Sequence, residues 1–311
     1  MEKVVKKVKR SLSPYLLTLI LFLTIFTPPL YAEIKSVQSD EVVVLYEGQM
    51  EGIAEEVAGV YPAVKEELVG TLKWDVDSRP DIVIAKDRDT FKEIVGSDII
   101  VAFAVPQKNL IVLDISRIYT KPFTLETTLK HELCHLVLHR NIKQNNLPRW
   151  LDEGVCQWAS GGVAELVTGG GEKALSQATV SNNVMRIKSL DRFAQDEKHL
   201  LLAYEESKSF IEYIIREYGE NKLLQTLQFL KEGDPIDDSF ARSFSVSFPD
   251  LEQKWLGYLQ RKYTWLSYVS NHLYTILFFL AGIVTLYGFF RLLKKKRDYK
   301  DEEEEEDRGG L

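Results

Sequence analysis

The first third of the chain alternates between β-type and helical hydrophobic patterns. Residues 41–46 form a β-branched run between polar neighbours, and residues 81–85 form a similar run, so both are predicted strands. Between them, residues 52–72 carry apolar side chains at helical spacing. Residues 99–105 and 110–113 flank a short turn, which is typical of a β-hairpin.

Helical spacing dominates the rest of the chain. The predicted helices cover residues 124–142, 150–160, 200–218 and 221–231, and another begins at Phe248. Because strands come first and helices follow, the pattern favours an α+β fold over an alternating parallel sheet. The sequence contains no internal repeat and no linker long enough to require a second domain.

The C-terminal part consists of an apolar run and a charged tail. Residues 273–290 contain no charged side chain and are long enough to cross a bilayer as a transmembrane helix. Six Lys and Arg residues follow within 291–300, which predicts that the tail, residues 291–311, is cytoplasmic. The acidic block 301–307 repels itself, so we expect it to be disordered.

The N-terminus has the pattern of a secretory signal. A basic start precedes an apolar run over residues 15–30, and Ala32 precedes a polar stretch, which predicts a signal peptide over residues 1–32. An uncleaved anchor is the alternative, because Leu30 is not the small residue preferred two positions before a cleavage site. In both cases we expect residues 33–264 to form an extracytoplasmic domain held by the C-terminal membrane pass.

Composition narrows the class of protein. The 311 residues are 45% hydrophobic and 27% charged, a globular profile that excludes a wholly disordered chain. The net charge is −7, although residues 1–32 are net positive, so the part between the two apolar ends is acidic. An acidic surface argues against a nucleic-acid partner.

The sequence H-E-L-C-H, residues 131–135, lies inside a predicted helix. Residues four apart share one helix face, so His131 and His135 can offer two imidazole nitrogens to one metal ion, with Glu132 directed toward a metal-bound water. The alternative is a helix with two ordinary histidines. Since the chain has only five histidines, this spacing favours a metal site.

A third ligand is expected from the next helix. A short polar connection lets this helix fold back over the first, so Glu153 can complete a His, His, Glu set for Zn²⁺ and leave a fourth position for water. Asp152 points about 100° away around the helix and is the weaker candidate. His139 lies two turns from His131, too far for one straight helix to bring both to one ion, so we interpret it as a surface or supporting residue.

The two cysteines, Cys134 and Cys156, both lie beside predicted ligands. Three interpretations remain open at this point: buried inert thiols, a disulfide that joins the two ligand helices, and a metal ligand. A disulfide requires Cα atoms within about 7 Å of each other, which depends on how the helices pack.

These motifs together resemble a known family. H-E-L-C-H, then P-R-W-L-D-E-G at residues 148–154, then Ala-Tyr at 203–204 and Tyr-Gly at 218–219, look like the peptidase MA-like domain of the gluzincin zinc metallopeptidases. The resemblance covers about residues 41–263, and its metal-site part is specific. It implies a gluzincin-like α+β fold and hydrolysis of a peptide or protein substrate.

The resemblance also implies a role for each residue of the site. It places Zn²⁺ on His131, His135 and Glu153, with Glu132 as the general base that deprotonates a zinc-bound water. Family members often use a downstream Tyr or His to stabilise the oxyanion, and Tyr204 is similar in context.

The resemblance is less specific about the strand that binds the peptide and about the residue that orients a histidine. A strand beside the site, either 99–105 or 110–113, is expected to hold an extended peptide. Thermolysin-like members orient a histidine with an Asp one turn after the glutamate ligand, whereas this chain has Gln157 there. His199 is the next oxyanion candidate after Tyr204.

The alternative function is a non-catalytic zinc-containing surface sensor or peptide-binding module, which would have no chemical use for Glu132.

Overall fold

The computed structural model describes six segments of the chain. They are residues 34–96, 100–120, 123–161, 171–191, 196–271 and 273–308. The predicted signal peptide, residues 1–32, lies outside these segments.

Five strands form a mixed sheet in the N-terminal part. They are β1 (Ile34–Gln38), β2 (Val43–Glu47), β3 (Asp81–Ala85), β4 (Ala102–Val105) and β5 (Leu110–Asp114). Their order in the sheet is β1-β2-β3-β5-β4. The three middle strands are parallel, and β1 and β4 pair antiparallel at the two edges. The middle strands are rich in Val, Ile and Leu, as expected for strands covered on both faces.

The predicted hairpin is confirmed by β4 and β5. A single 3-10 turn, Pro106–Lys108, connects the strands, and Asn109 follows in the left-handed region with a φ of 50°. Asn tolerates this conformation better than most residues do. The hairpin places β4 at the edge of the sheet. The sequence did not predict β1, because its mostly exposed side chains show no hydrophobic alternation.

Helices between the strands cover the sheet. The long helix α1 (Glu51–Leu72) runs between β2 and β3, confirming the helix predicted over 52–72, and its side chains pack on the strands. Two short helices, α2 (Arg88–Val95) and α3 (Ile115–Ile118), follow β3 and β5. The buried face of α1 recurs every three or four residues, through Ala54, Val57, Tyr61, Val64, Leu68 and Leu72.

The second part of the fold is helical, which confirms the α+β class. Its helices are α4 (Leu125–Asn141), α5 (Arg149–Ser160), α6 (Gly171–Val180), α7 (Glu197–Tyr218), α8 (Glu220–Glu232), α9 (Ile236–Phe244), α10 (Phe248–Asn271) and α11 (Leu273–Arg308). The sequence did not predict α6 or α9. Gly171 is the first residue of α6.

The central helix is α4, which contacts β4, β5, α1 and α5. Its middle turns are buried on almost every side, from Leu129 to Leu138. A helix in this position must find partners inside the protein for its polar side chains, because water cannot reach them.

The helix α11 contains the predicted membrane span. Its Leu273–Lys294 portion is long and apolar enough to cross a membrane, and none of it is buried within the protein. The disorder expected for residues 301–307 was wrong, because α11 continues to Arg308. Lys, Arg and Glu are good helix formers, and extending a helix that already exists avoids the cost of nucleation.

Close packing joins α5 to α7. Trp150 on α5 is buried, and its ring lies 5.6 Å from that of Phe210 on α7. One turn later, Gly154 leaves no room for a side chain. A Cβ at this position would lie 2.7 Å from Ile211 Cγ1 and 2.7 Å from the Ser207 carbonyl oxygen. The two helices can approach this closely because residue 154 is glycine.

A disulfide joins α4 to α5. Cys134 and Cys156 are both fully buried, their Cα atoms lie 5.4 Å apart, and their sulfurs are bonded. Of the three interpretations that the sequence left open, the structure selects the disulfide. It connects the middle of α4 to the second turn of α5, so the two helices are held together covalently as well as by packing.

Gly154→Ala should lower the free energy of unfolding by about 1–3 kcal/mol, because the added methyl group forces α5 away from α7. Chemical denaturation of the purified chain measures the change. Gly59→Ala is the matched control: Gly59 lies on the exposed face of α1 with nothing near its Cβ position, so alanine there should stabilise the helix by up to about 1 kcal/mol. Equal effects at the two positions would contradict the packing argument.

Removing the disulfide should also destabilise the fold. Replacing both Cys134 and Cys156 by Ala should lower the free energy of unfolding by about 2–4 kcal/mol. The disulfide closes a loop between cysteines that are 22 residues apart, so without it the unfolded chain gains conformational freedom. Denaturation of the wild-type chain with and without a reducing agent provides the second measurement. A reductant that shifts the wild type but leaves the double variant unchanged would support this account, whereas no shift in the wild type would refute it.

Candidate metal centre

The structure brings the three predicted ligand residues together. His131 and His135 lie one turn apart on α4, and their Nε2 atoms are 3.1 Å from each other. Glu153 on α5 places Oε2 3.8 Å from His131 Nε2 and 3.5 Å from His135 Nε2. All three side chains are buried.

The spacing of these three atoms fits a zinc ion. Tetrahedral zinc bound at 2.0–2.1 Å to nitrogen and oxygen requires neighbouring ligand atoms to lie about 3.4 Å apart. The three observed distances, 3.1, 3.5 and 3.8 Å, bracket this value. Glu153 Oε2 is buried and accepts no hydrogen bond from the residues that the structure describes. A cation among the three atoms would compensate for this buried carboxylate oxygen.

The other oxygen of Glu153 is held by two further side chains. The Tyr204 hydroxyl on α7 donates a hydrogen bond to Glu153 Oε1 at 3.2 Å. Arg149, one turn earlier on α5, places its Nε 3.5 Å from the same oxygen. Because donors gather on Oε1, the carboxylate turns Oε2 toward the two histidines. Tyr204 is buried beside Glu153.

Asp152 lies beside the centre and binds two histidines. Its Oδ1 is 2.8 Å from His135 Nδ1, and its Oδ2 is 2.8 Å from His139 Nε2. Burial alone would raise the pKa of this carboxyl, but the charges and hydrogen bonds of His135 and His139 outweigh burial and hold the pKa below its usual range. Asp152 therefore stays ionised at neutral pH.

Glu132, the predicted general base, is fully buried on α4 next to His131. The alternative oxyanion candidate, His199, is well exposed at the start of α7, where its Nδ1 pairs with Asp196 Oδ1 at 2.7 Å. The structure thus places Tyr204 at the centre and His199 outside the cleft described below.

Gln157 connects the two helices that carry Glu153 and Tyr204. Its side-chain amide donates to the backbone carbonyl of Tyr204 at 3.1 Å. Gln157 thus positions Tyr204, and the carboxylate that orients a histidine is Asp152 instead. The sequence reasoning missed this role of Asp152. One feature of the sequence could have indicated this role: His135 and His139 are four residues apart and therefore face the same side of α4.

A cleft of about 190 Å³ opens next to the centre. One wall is the edge strand β4, and the other is formed by α4, α5 and α7. Of the two strands that the family resemblance allowed, β4 is the one that lines the cleft. The residues around it are Ile100, Ala102, Phe103, Ala104, Pro106, His135, His139, Arg149, Asp152, Glu153 and Tyr204.

Two solved structures are similar to this chain. One is a crystal structure of an M1 zinc metallopeptidase mutant from Deinococcus radiodurans, with 14% identity and a TM-score of 0.46 over 72% of this chain and 51% of that one. The other is a functionally unknown conserved protein from Bacillus anthracis, with 9% identity and a TM-score of 0.40 over 73% of this chain and 51% of that one. The chain thus spans about half the length of each. No curated protein matches it.

The family assignment rests on the sequence and not on these structural similarities. Residues 95–261 match the Peptidase MA superfamily. This match covers more than half of the chain and contains α4, α5 and α7, the three helices that supply the metal centre and Tyr204. The α+β domain is therefore of the zinc metallopeptidase-like kind, and the chain belongs to the Peptidase MA superfamily.

Proposed function

We propose that this protein is a membrane-anchored zinc metallopeptidase that hydrolyses peptide bonds outside the cytoplasm. The observation that carries the proposal is the convergence of His131 Nε2, His135 Nε2 and Glu153 Oε2 at the spacing of a zinc site. A cleft of about 190 Å³ lies directly beside these atoms.

Each residue of the centre has a chemical task in this proposal. A zinc ion on the three ligands would supply Lewis acidity, which lowers the pKa of a water molecule toward 7 and polarises a carbonyl group. Glu132 accepts the proton of the attacking water and passes it to the leaving amine. When substrate binds, the Tyr204 hydroxyl turns from Glu153 Oε1 and donates to the oxygen that becomes negative in the transition state, a role that its place on the cleft wall supports.

The substrate lies along β4. An edge strand has backbone N–H and C=O groups directed away from its own sheet, and an extended peptide can pair with them as an added strand. This binding is independent of the peptide's side chains, so β4 holds the substrate backbone while the cleft selects what fits. The side chains of Ala102 and Ala104, which line the cleft on β4, are small and leave room for a peptide.

Three features support an extracytoplasmic domain. Residues 1–32 have the pattern of a secretory signal. The Cys134–Cys156 disulfide is of the kind that persists in oxidising compartments. The Leu273–Lys294 portion of α11 can cross the bilayer, and the basic residues that follow favour a cytoplasmic tail.

Two substitutions separate metal binding from catalysis. Glu153→Ala removes a ligand and should strongly reduce zinc content, which is expected to be about one ion per wild-type chain. Glu132→Gln should keep the zinc but lower kcat by roughly 10²–10⁴-fold, because the general base is lost. Metal analysis and digestion of a peptide library measure the two effects, and Tyr204→Phe should reduce kcat by a smaller factor.

The outcomes also distinguish the enzyme from a binding module. A wild-type chain that stays without metal at micromolar zinc would refute the proposed site. A chain that holds zinc, cleaves nothing in a broad library and binds peptides equally well with Glu132 or Gln at that position would instead indicate a non-catalytic peptide-binding module.

The proposed topology predicts which part of the protein is accessible from outside. Protease added to intact cells should release the domain that precedes α11 and leave a tag on the C-terminal tail protected, because the basic residues hold that tail inside. Immunoblotting of the tag and the domain measures this, with detergent-permeabilised cells as the control. Digestion of the tail on intact cells while the domain survives would reverse the orientation.

A further inference from the structure

We infer that Arg149 binds a carboxylate of the substrate in the cleft, so that the preferred substrates are peptides with a carboxylate close to the bond that is cleaved. This carboxylate belongs either to an Asp or Glu side chain or to the free C-terminus of the peptide. The inference rests on the proposed function and deepens it, because it names the class of substrate.

The two walls of the cleft differ in charge. The β4 side of the cleft has only uncharged side chains, which are Ile100, Ala102, Phe103, Ala104 and Pro106. The charged side chains lie on the helical wall, and among the described residues that line the cleft Arg149 is the only Lys or Arg. Because a guanidinium is always protonated in proteins, Arg149 gives this lining a permanent positive charge.

The carboxylates of the helical wall are directed toward partners inside the protein. Both oxygens of Asp152 lie 2.8 Å from histidine nitrogens, and Glu153 turns Oε2 toward the two predicted histidine ligands. Their side chains are only 12% and 7% exposed, whereas the side chain of Arg149 is 43% exposed. Of these three charged groups, Arg149 is therefore the one that a substrate reaches most easily.

Helix stability alone does not explain an arginine at this position. Arg149 is the first residue of α5, where the helix dipole disfavours a positive charge. Its ion pair with Glu153 has the basic residue four positions before the acidic one, which is the less favourable order. An ion pair with one partner this exposed adds little to stability. These features favour an additional role for Arg149 toward a ligand in the cleft.

The guanidinium also lies at a suitable distance from the proposed metal position. Arg149 Nε is 3.5 Å from Glu153 Oε1, and the other oxygen of that carboxylate faces the histidines, so Nε lies within about 6 Å of Oε2. Residues of an extended peptide are spaced by about 3.5 Å. A peptide whose carbonyl group reaches the metal position therefore brings a carboxylate of a neighbouring residue within reach of Arg149. The planar N–H groups of a guanidinium match the two oxygens of a carboxylate.

The test compares peptides that differ by one carboxylate. Fluorescence-quenched peptides carry Glu, Gln or Lys at each position near the cleaved bond, with a free or an amidated C-terminus, and are added to the full chain in detergent. Removing the carboxylate should lower kcat/KM by about 10–100-fold, mainly through KM, because the contact is made in the ground state as well as in the transition state. A preference for Glu that survives amidation identifies a side chain, and a preference that amidation removes identifies the C-terminus.

Variants of Arg149 connect this preference to one residue. Arg149→Gln should reduce the ratio between matched peptides to about one, and Arg149→Lys should keep part of it, because lysine retains the charge but not the paired N–H groups. Each ratio compares two peptides on the same variant, so a change in zinc content or in the orientation of Glu153 cancels. Arg140→Gln is the matched control, since Arg140 is exposed on α4 and does not line the cleft. Its ratio should equal that of the wild type.

Binding provides a readout that does not depend on turnover. In Glu132→Gln, fluorescence anisotropy of labelled versions of these peptides should show a similar preference in Kd, about 10–100-fold, and adding Arg149→Gln should abolish it. If the wild type cleaves nothing, the proposed hydrolysis fails, whereas an Arg149-dependent preference in Kd would still support the inference.

Three results would overturn the inference: equal cleavage and binding of all matched peptides by the wild type, a preference that persists in Arg149→Gln, or an equally large loss in Arg140→Gln. If Arg149→Gln does not fold, an unchanged ratio in Arg149→Lys overturns the inference and a reduced ratio supports it. A wild-type chain that neither cleaves nor binds any of these peptides would refute the proposed function and the inference together.

Discussion

The packing of α5 against α4 is the contact on which the rest of the site depends. Glu153 and Asp152 follow each other on α5, and both reach histidines of α4. The Cys134–Cys156 disulfide closes the same interface a turn away. A displacement of α5 by about 1 Å would change both distances from Glu153 Oε2 to the histidine nitrogens, so a covalent bond here protects the geometry as well as the stability of the fold.

The carboxylates buried at this interface need partners that compensate for their charge. Glu132, Asp152 and Glu153 are buried carboxylates, so little water reaches them. A buried charge is tolerated when a partner of opposite charge or a metal ion compensates for it. Asp152 has His135 and His139 as partners. Glu153 has Arg149 and Tyr204 at Oε1, and in the proposed function a zinc ion between Oε2 and the two histidines would complete the compensation.

The other side of the centre is controlled by α7. Gly154 permits the close approach of α5 and α7, and Gln157 ties its own helix to the Tyr204 backbone. These two residues have no place in the proposed chemistry, yet they bring the Tyr204 hydroxyl to Glu153. The cleft then forms between these helices and β4, so the hairpin and the helix bundle meet at the centre.

Local patterns in the sequence were enough to predict most elements. The strand Asp81–Ala85, the β4–β5 hairpin and the long helix α1 depend on neighbouring residues, and the H-E-L-C-H spacing places two histidines on one face of any helix. The same locality explains the failures. β1 is mostly exposed and shows no alternation, and α9 has only 9 residues, so its helical spacing extends over little more than two turns. The acidic end of α11 is helical because it continues an existing helix.

Contacts between distant segments required the tertiary structure. His135 and Asp152 are 17 residues apart, and Glu153 and Tyr204 are 51 apart, so no periodicity relates them. The sequence alone identified the ligand candidates and the candidate general base, because those depend on residue type and helical spacing. Only the packing of α4, α5 and α7 decided that the two cysteines are bonded, that Asp152 holds two histidines and that Tyr204 meets Glu153, because these contacts depend on the distances between helices.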